Sequence, residues 1–238
     1  MSKNNIIVIP ARGGSIGIPD KNIKIFNGKP LIAHTIELSK KVETVNKIIV
    51  STDSNSIKSI ATKFGAETPF KRPDNLSGPD ISVDEVLSHA NSEMINLGYQ
   101  ADCIILLFVT NPLRNLDQIN KCIEMFYKSK ADCVFTVNES PAHYTPYWTL
   151  VEDKDKNFTY FDGNSLYDGI KRRQDFPEKC YAKNDLVFAI NPRNFTNFNS
   201  LFGKKNKVLV TEPIYDCDIN KIEDWAVCEE RFKSLYLK

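Results

Sequence analysis

The feature that most constrains the fold is a regular alternation of short apolar runs with stretches that carry apolar residues at helical spacing. The apolar runs have strand length and occupy 5–10, 47–52, 102–108 and 132–137. The helical patterns occupy 30–42, 54–65, 82–98 and 116–129. Successive strands linked by helices pair in parallel, and the helices then cover the sheet. The order therefore predicts an α/β fold, a mostly parallel Rossmann-like sheet with helices on both faces.

The alternation stops between residues 139 and 184. This stretch is rich in aromatic residues, proline and charge, which indicates an inserted arm. Strands at 185–190 and 207–212 and a helix at 220–236 follow it, and Asn220 with Glu223 has the spacing of a capping box. We therefore expect residues 1–238 to form a single domain with an insertion at about 139–184.

Charge and apolar content exclude several classes of protein. The formal net charge is only +1, and a general binder of nucleic acid or membrane surfaces usually has a basic excess. No apolar run approaches the roughly 18 residues of a membrane helix, and the start of the chain does not resemble a secretory signal. We expect a cytoplasmic protein that binds neither nucleic acid nor membrane.

Cysteine spacing predicts buried free thiols rather than a disulfide framework or a zinc site. None of the six cysteines forms a CxxC pair, and several lie in apolar runs.

A glycine-rich loop follows the first predicted strand, and it spans residues 9–22. In an α/β sheet, ligands bind beyond the carboxyl ends of the strands, where this loop starts. Its glycines allow backbone N–H groups to approach an anion, and Arg12 and Lys21 add charged donors. The loop matches neither the P-loop nor the G-x-G-x-x-G pattern. It predicts phosphate or nucleotide binding; the alternative is a glycine-rich turn with solvated charges.

Two aspartates, Asp216 and Asp218, form a candidate metal site. In an extended segment, residues i and i+2 point to the same side, so both carboxylates could face one ion. Oxygen ligands suit Mg²⁺, which shares its shell with substrate phosphates. The alternative is a pair of solvated aspartates before a helix.

Five segments, in order along the chain, resemble the motifs of the CMP-sugar synthetases, the acylneuraminate and 3-deoxy-manno-octulosonate cytidylyltransferases. They read IPARGGSIGIPDKNIKIFNGKPLIAHTI, STDSNSIKSIATKFGAETPFKRPDNLSG, TNPLR, RRQDFPEKCYAKND and YDCDINKIEDW. The resemblance implies a nucleotidyltransferase fold and a reaction of CTP with a 2-keto-3-deoxy sugar acid. The anomeric hydroxyl attacks the α-phosphate, and a CMP-sugar and pyrophosphate are formed.

The resemblance also implies roles for individual residues. The catalytic group comprises Arg12, Lys21 and Asp218. Asp216 and Asp218 would bind Mg²⁺ or Mn²⁺. The nucleotide-binding group comprises Ala11, Arg12, Gly13, Gly14, Lys21, Asn22, Arg72 and Ser82. Arg72 could instead anchor a loop. The sugar-binding group comprises Phe108, Thr110, Arg114, Arg172, Arg173 and Gln174.

The last three of these residues lie in the arm. In the family the arm crosses to a second subunit and helps to complete its sugar site, so the resemblance implies a homodimer. The alternative for the Arg172–Arg173 pair is a solvated charge run.

The chain departs from the family pattern inside its own motifs. Ile16 and Asp20 replace cations of the loop, Asp185 replaces the glycine of an Asn-Gly pair, and Phe108 and Val109 replace a Gln-Pro pair. Phe108 stands where related enzymes place a glutamine that reads the sugar; the alternative is that Phe108 packs beneath the site and another residue reads the sugar. The sequence thus favours a CMP-nonulosonic acid synthetase, with an acceptor such as legionaminic or pseudaminic acid preferred over N-acetylneuraminic acid. Two alternatives stay open: a nucleotidyltransferase with another acceptor or nucleotide, such as a sugar phosphate or an octulosonate, and a catalytically weakened nucleotide-binding homologue.

Overall fold

The computed structural model describes residues 3–237. The ten strands are β1 (Asn5–Pro10), β2 (Ile25–Phe26), β3 (Lys29–Pro30), β4 (Lys47–Ser51), β5 (Cys103–Leu106), β6 (Cys133–Glu139), β7 (Leu150–Glu152), β8 (Phe158–Tyr160), β9 (Tyr181–Ile190) and β10 (Asn206–Val210). The six α-helices are α1 (Leu31–Ser39), α2 (Asn55–Phe64), α3 (Val83–Asn96), α4 (Leu116–Ser129), α5 (Arg193–Asn197) and α6 (Ile222–Tyr236).

Six of the strands form the central sheet, in the order β10-β6-β9-β5-β1-β4. β1 pairs in parallel with β4 and β5, and β6 pairs in parallel with β10. β9 runs antiparallel to both of its neighbours, because the chain returns to the sheet from the arm rather than through a crossover helix. The predicted mostly parallel sheet is confirmed.

Alternate residues of β1 face two different cores. Ile7 and Ile9 pack into one core together with apolar residues of α1, α2, α4 and α6. Ile6 and Val8 pack into the other, which α3 and α5 cover. Because side chains alternate along a strand, a fully apolar strand requires a partner on each face. The predicted helices on both faces are therefore confirmed.

Local signals in the sequence fix several helix ends. The Ser54 hydroxyl accepts a hydrogen bond from the Ile57 N–H (3.4 Å) at the start of α2, and Gly65 ends that helix with φ +99°. At the last helix the predicted Asn220–Glu223 capping box is wrong. The carboxylate of Asp224 instead accepts the backbone N–H groups of Asn220 (3.0 Å) and Lys221 (2.9 Å), because α6 begins only at Ile222.

The expectation of free thiols holds for three buried cysteines, Cys103, Cys122 and Cys133. It is wrong for Cys217 and Cys228, which form a disulfide with their Cα atoms 6.0 Å apart. The fold packs the segment around residue 217 against α6, and that tertiary contact leaves no signature in the cysteine spacing.

The stretch that the sequence analysis describes as an inserted arm lies between β6 and β9. β6 and β9 stay paired as far as Glu139 and Tyr181, so the arm comprises residues 140–180. Its β7–β8 hairpin is antiparallel. Phe161 (65% exposed) and Tyr167 (87% exposed) leave large rings in solvent. Among residues 3–237, none of the helices is long and apolar enough to cross a membrane.

Candidate active site

The glycine-rich loop is anchored to the end of β4. The Ala11 N–H donates to the Ser51 carbonyl (3.0 Å), and the Gly13 N–H donates to the Asp53 carboxylate (2.9 Å). Within the loop, the buried Asn22 amide donates to the Arg12 carbonyl (2.9 Å). Asn22 thus shapes the backbone on which Arg12 is carried, and Gly14 has open space around it.

The same loop meets the acidic segment near the end of the chain. The Lys21 ammonium donates to the Ile219 carbonyl (2.7 Å), and the Ile219 N–H donates to the Thr110 carbonyl (2.9 Å). Burial lowers the pKa of Lys21, and the nearby carboxylate of Asp218 opposes that shift. The fold therefore brings the basic loop, the TNPLR motif and the acidic pair to one edge of the sheet.

Each carboxylate of the acidic pair accepts a hydrogen bond from an amide. The Asn138 Nδ2 donates to the Asp216 Oδ2 (2.6 Å), and the Asn220 Nδ2 donates to the Asp218 Oδ2 (2.7 Å). Asp218 is exposed, whereas Asp216 is half-buried and its carbonyl accepts from the Arg231 guanidinium (2.7 Å). Burial raises the pKa of the Asp216 carboxyl, and the hydrogen bond from Asn138 counteracts part of the rise.

The donor set at the acidic pair suits a hard divalent ion that also binds phosphate. Within residues 3–237, no group of three or more histidine, cysteine, aspartate or glutamate side chains is arranged to hold a metal ion. Mg²⁺ usually uses one or two protein carboxylates and completes its shell with water and substrate phosphates. Asp216 and Asp218 satisfy that requirement, and a transition metal that needs nitrogen or sulfur ligands would not be matched.

A cavity of about 200 Å³ lies beside the loop, and its wall includes Arg12, Arg72, Gly78 and Phe108. The Arg12 Nη1 donates to the Gly78 carbonyl (2.8 Å). Arg72 is buried, with its Nε donating to the Ser51 hydroxyl (3.2 Å) and its Nη2 to the Ser51 carbonyl. Burial lowers the pKa of Arg72 to about 10, against the attraction of Asp53. The Arg72 guanidinium thus anchors the end of β4, and Arg72 also contributes to the wall of the cavity.

Ser82 is not among the residues that line this cavity. It is the N-cap of α3: its hydroxyl accepts from the Glu85 N–H (3.2 Å) and donates to the Glu85 carboxylate (2.8 Å). The hydroxyl is therefore engaged in a capping box.

Arg114 is not among the residues that line this cavity; it contributes to the wall of another one, with His34 and Pro112. The residue is buried, its Nε donates to the Asn111 carbonyl (3.1 Å), and its Nη2 donates to the Phe108 carbonyl. Burial lowers the pKa of Arg114 to about 9, while Asp218 opposes the shift. Arg114 therefore fixes the backbone turn that carries Phe108 and Thr110.

Comparison with known proteins identifies the family. The sequence profile described as Cytidylyltransferase matches residues 6–223. The chain belongs to the cytidylyltransferase family. It is similar to the pseudaminic acid cytidylyltransferase of Campylobacter jejuni (30% identity over 96% of each chain) and to the CMP-N,N'-diacetyllegionaminic acid synthase of Legionella pneumophila (28% over 94% of each).

A solved structure supports the fold. The CMP:2-keto-3-deoxy-manno-octonic acid synthetase complexed with CTP superimposes with a TM-score of 0.68, covering 99% of each chain at 18% identity. At that identity the likeness shows a shared fold. The architecture of this cytidylyltransferase family member is thus the α/β nucleotidyltransferase fold that its sequence predicts.

The arm residues predicted to bind the sugar are exposed in this cytidylyltransferase family member. Arg172 pairs with Asp175 (2.8 Å), and the segment Arg173–Asp175 is exposed. Among the described residues, no hydrogen bond or ion pair joins Arg172, Arg173 or Gln174 to the loop or to the acidic pair.

Sequence reasoning missed several polar residues of the site. The Asp53 carboxylate accepts a hydrogen bond from the Gly13 N–H, and the Asn138 amide donates to the Asp216 carboxylate. The Thr211 hydroxyl donates to the Asn138 oxygen. Asp53, Asn138 and Thr211 lie at or just beyond the carboxyl ends of the parallel strands β4, β6 and β10. That position is the signal that could have identified them.

Asp185 is a further residue whose position sequence reasoning did not anticipate. It has φ +55° and lies where the β6–β9 ladder is irregular, between the pairs of Phe135 and Val137. Burial raises the pKa of the Asp185 carboxyl, with a further contribution from Asp218. A bulge of this kind re-aims the side chain of a residue that it displaces from the ladder.

Proposed function

We propose that this protein transfers the CMP group of CTP to a nonulosonic acid, giving a CMP-sugar and pyrophosphate. The observation that carries the proposal is the contact between Lys21 and the Ile219 carbonyl. It holds the cationic loop against the acidic segment of Asp216 and Asp218. Side chains that could bind a triphosphate and carboxylates that could bind a divalent ion therefore lie at the same edge of the sheet.

The cavity beside the loop would hold the cytosine base. Cytosine presents acceptors at O2 and N3, and the Arg72 guanidinium on the cavity wall is a donor that suits them. Phosphates extending from the cavity would then run along the loop, where Arg12, Lys21 and backbone N–H groups bind anions.

The reaction forms a bond between the anomeric oxygen and the α-phosphorus and breaks the bond from that phosphorus to the bridging oxygen of the β-phosphate. Pyrophosphate leaves with the electron pair, and the hydroxyl proton passes to solvent. Arg12 and Lys21 stabilise the negative charge that develops on the phosphoryl oxygens, because they are fixed before the reaction begins. Asp216 and Asp218 would hold Mg²⁺ or Mn²⁺, which supplies further positive charge at the phosphates.

The acceptor follows from the relatives and from Phe108. Two relatives are named for pseudaminic acid and N,N'-diacetyllegionaminic acid, at about 30% identity. Phe108 offers an apolar ring, edge-on to Phe188 with ring centroids 6.3 Å apart. A sugar with a deoxy or methyl group at that ring leaves no hydroxyl unpaired.

We propose that the reaction takes place in the cytoplasm.

A homodimer would complete the sugar site. The arm exposes large rings, and among the described residues Arg172, Arg173 and Gln174 make no hydrogen bond or ion pair with the loop. Docked on a second copy, the arm would bury those rings and bring the basic pair to the partner's acceptor, where an arginine suits the sugar carboxylate.

Pyrophosphate release over a panel of four nucleoside triphosphates and several acceptors tests the proposal. We expect release with CTP and a nonulosonic acid. Faster release with another triphosphate, an octulosonate or a sugar phosphate would favour the second candidate, a nucleotidyltransferase of different specificity. No release with any pair, despite CTP binding, would favour a weakened homologue.

A further inference from the structure

A network of polar side chains, two of them buried, lies behind Asp216. It comprises Asn138 on β6, Asn184 on β9 and Thr211 just after β10. Asn138 and Asn184 are buried (7% and 5% exposed). The Asn184 Nδ2 donates to the Asn138 Oδ1 (2.7 Å) and to the Thr211 hydroxyl (2.7 Å), and that hydroxyl donates to the Asn138 Oδ1 (2.9 Å).

This network determines which way the Asn138 amide faces. Its Oδ1 accepts two donors, one from each neighbouring element, so its Nδ2 must face the other way. There it meets the Asp216 Oδ2 at 2.6 Å, and an ionised carboxylate can only accept. If the amide were reversed, its oxygen would face the Asp216 carboxylate, which is also an acceptor. Its Nδ2 would face the Asn184 Nδ2, which is also a donor. Asn184 on β9 and Thr211 just after β10 therefore fix the orientation of the Asn138 amide together.

The contact restricts how Asp216 can bind an ion. Among the described residues, Asn138 is the side chain that donates to this carboxylate, and it occupies Oδ2 only. Oδ1 is left for a ligand, which favours one-oxygen coordination. Mg²⁺ requires a near-ideal octahedral shell at about 2.0–2.1 Å, in which single carboxylate oxygens fit well.

We propose that Asn138 is a positioning residue for the divalent ion, which holds Asp216 so that Oδ1 alone is presented to it. The inference rests on the proposed function, because it takes Asp216 as a metal ligand. The groups behind a ligand orient it, and their loss typically weakens metal binding by about 10–100-fold. We expect Asn138 to act in this way, with Asn184 and Thr211 acting through it.

The experiment measures the apparent Kd for Mn²⁺ from the loss of its free-ion EPR signal. Each variant is titrated at the same concentration of CTP without any sugar, so no turnover occurs. Asn138→Leu keeps the shape of the side chain and removes both polar atoms. Thr211→Val is nearly isosteric and removes one donor to Asn138, so it tests the same network at a lower risk of unfolding.

The matched control is Asn194→Leu. Asn194 is equally buried, and its Nδ2 donates to the carbonyls of Asp132 (3.0 Å) and Leu201 (2.9 Å), outside the network. We expect all three variants to unfold more easily than the wild type. Asn138→Leu should raise the Mn²⁺ Kd by about 10–100-fold, Thr211→Val should raise it less, and Asn194→Leu should leave it unchanged.

Asp216→Asn separates failure of this inference from failure of the proposed function. If Asp216→Asn weakens Mn²⁺ binding but Asn138→Leu and Thr211→Val do not, Asn138 has no positioning role and the inference is overturned. If Asp216→Asn leaves the Kd unchanged as well, the metal site itself is misassigned and the inference falls with it. An apparent KM for Mg²⁺ that rises in Asn138→Leu, with kcat recovered at saturating Mg²⁺, would support positioning.

Discussion

Gly17 lies against the backbone of Asn220, so closely that a Cβ atom on Gly17 would fall 2.2 Å from the Asn220 carbonyl oxygen. The two residues are about two hundred positions apart, and their contact joins the glycine-rich loop to the acidic segment. A side chain at residue 17 would force these two parts of the site away from each other.

We therefore expect Gly17→Ala to destabilise the protein and to impair the site. Overpacking of this kind typically costs about 1–3 kcal/mol, because a backbone atom must move. The free energy of unfolding of the nucleotide-free protein, measured by urea titration, should fall by that amount, and the KM for CTP should rise.

Gly14→Ala is the matched control for the unfolding measurement. A Cβ on Gly14 would meet no atom within 4 Å, and its backbone does not need a positive φ. Alanine there should leave stability unchanged or raise it by up to about 1 kcal/mol. Equal unfolding free energies for both variants would contradict the close contact of Gly17 with Asn220.

The acidic pair gives a second prediction. Asp216→Asn and Asp218→Asn should each reduce kcat by roughly 100-fold or more, because loss of a metal ligand removes several kcal/mol of transition-state stabilisation. Thermal unfolding should change little for Asp218, which is exposed. Asp117→Asn, at an exposed carboxylate on α4, is the control with the same charge change. Turnover like the wild type in both variants with Mg²⁺ would refute the metal assignment.

The arm provides a prediction about assembly. Light scattering of the wild-type protein at micromolar concentration should give a molar mass twice that of one chain. Tyr167→Asp together with Phe161→Asp should shift it to the mass of one chain, because charge would then replace the exposed rings of the arm. Leu97→Asp, at an exposed apolar residue outside the arm, should leave the dimer intact. A stable wild-type monomer would rule out a shared sugar site.

Acceptor choice gives a prediction about Phe108. The wild type should have a lower kcat/KM for N-acetylneuraminic acid than for legionaminic or pseudaminic acid, with octulosonic acid as a further comparison. A substrate hydroxyl or amide that faces the ring stays unpaired, at about 1–3 kcal/mol, or roughly 10- to 100-fold in discrimination.

Phe108→Gln should narrow or reverse that preference. The Phe108 carbonyl is already bound by Arg114, so the backbone of the turn should survive the substitution. A wild type that already favours N-acetylneuraminic acid, or an unchanged ranking in Phe108→Gln, would show that another residue sets the choice of sugar.

The sequence predicted those parts of the fold that depend on local pattern. β1 and the helix at 116–129 have the predicted bounds, since their apolar periodicity is unbroken and their ends have strong signals. The antiparallel direction of β9 could not be read in the same way, because it depends on how the arm returns to the sheet. Likewise the Cys217–Cys228 pairing depends on the packing of α6 against the acidic segment.

Candidate site residues could be predicted from the sequence where they belong to a recognisable motif. Residues from other parts of the chain that hold them in place could not be predicted as well. Arg12, Lys21, Asp216 and Asp218 stand in recognisable motifs, and the structure gathers these four residues at one edge of the sheet. Asn138 lies in an ordinary strand, and only the register of β6 beside β9 brings it to Asp216. Ser82 shows the converse, since the resemblance implies a nucleotide contact and its hydroxyl is engaged in an ordinary helix cap.

Phosphorus NMR of the reaction mixture tests the central claim most directly. With CTP, Mg²⁺ and legionaminic or pseudaminic acid, the account predicts two products, free pyrophosphate and a single phosphodiester resonance from a CMP-sugar. Asp218→Asn should form both products more slowly, by roughly 100-fold or more. A pair of coupled diphosphate resonances formed from a sugar phosphate, or product from another nucleotide in preference to CTP, would contradict it.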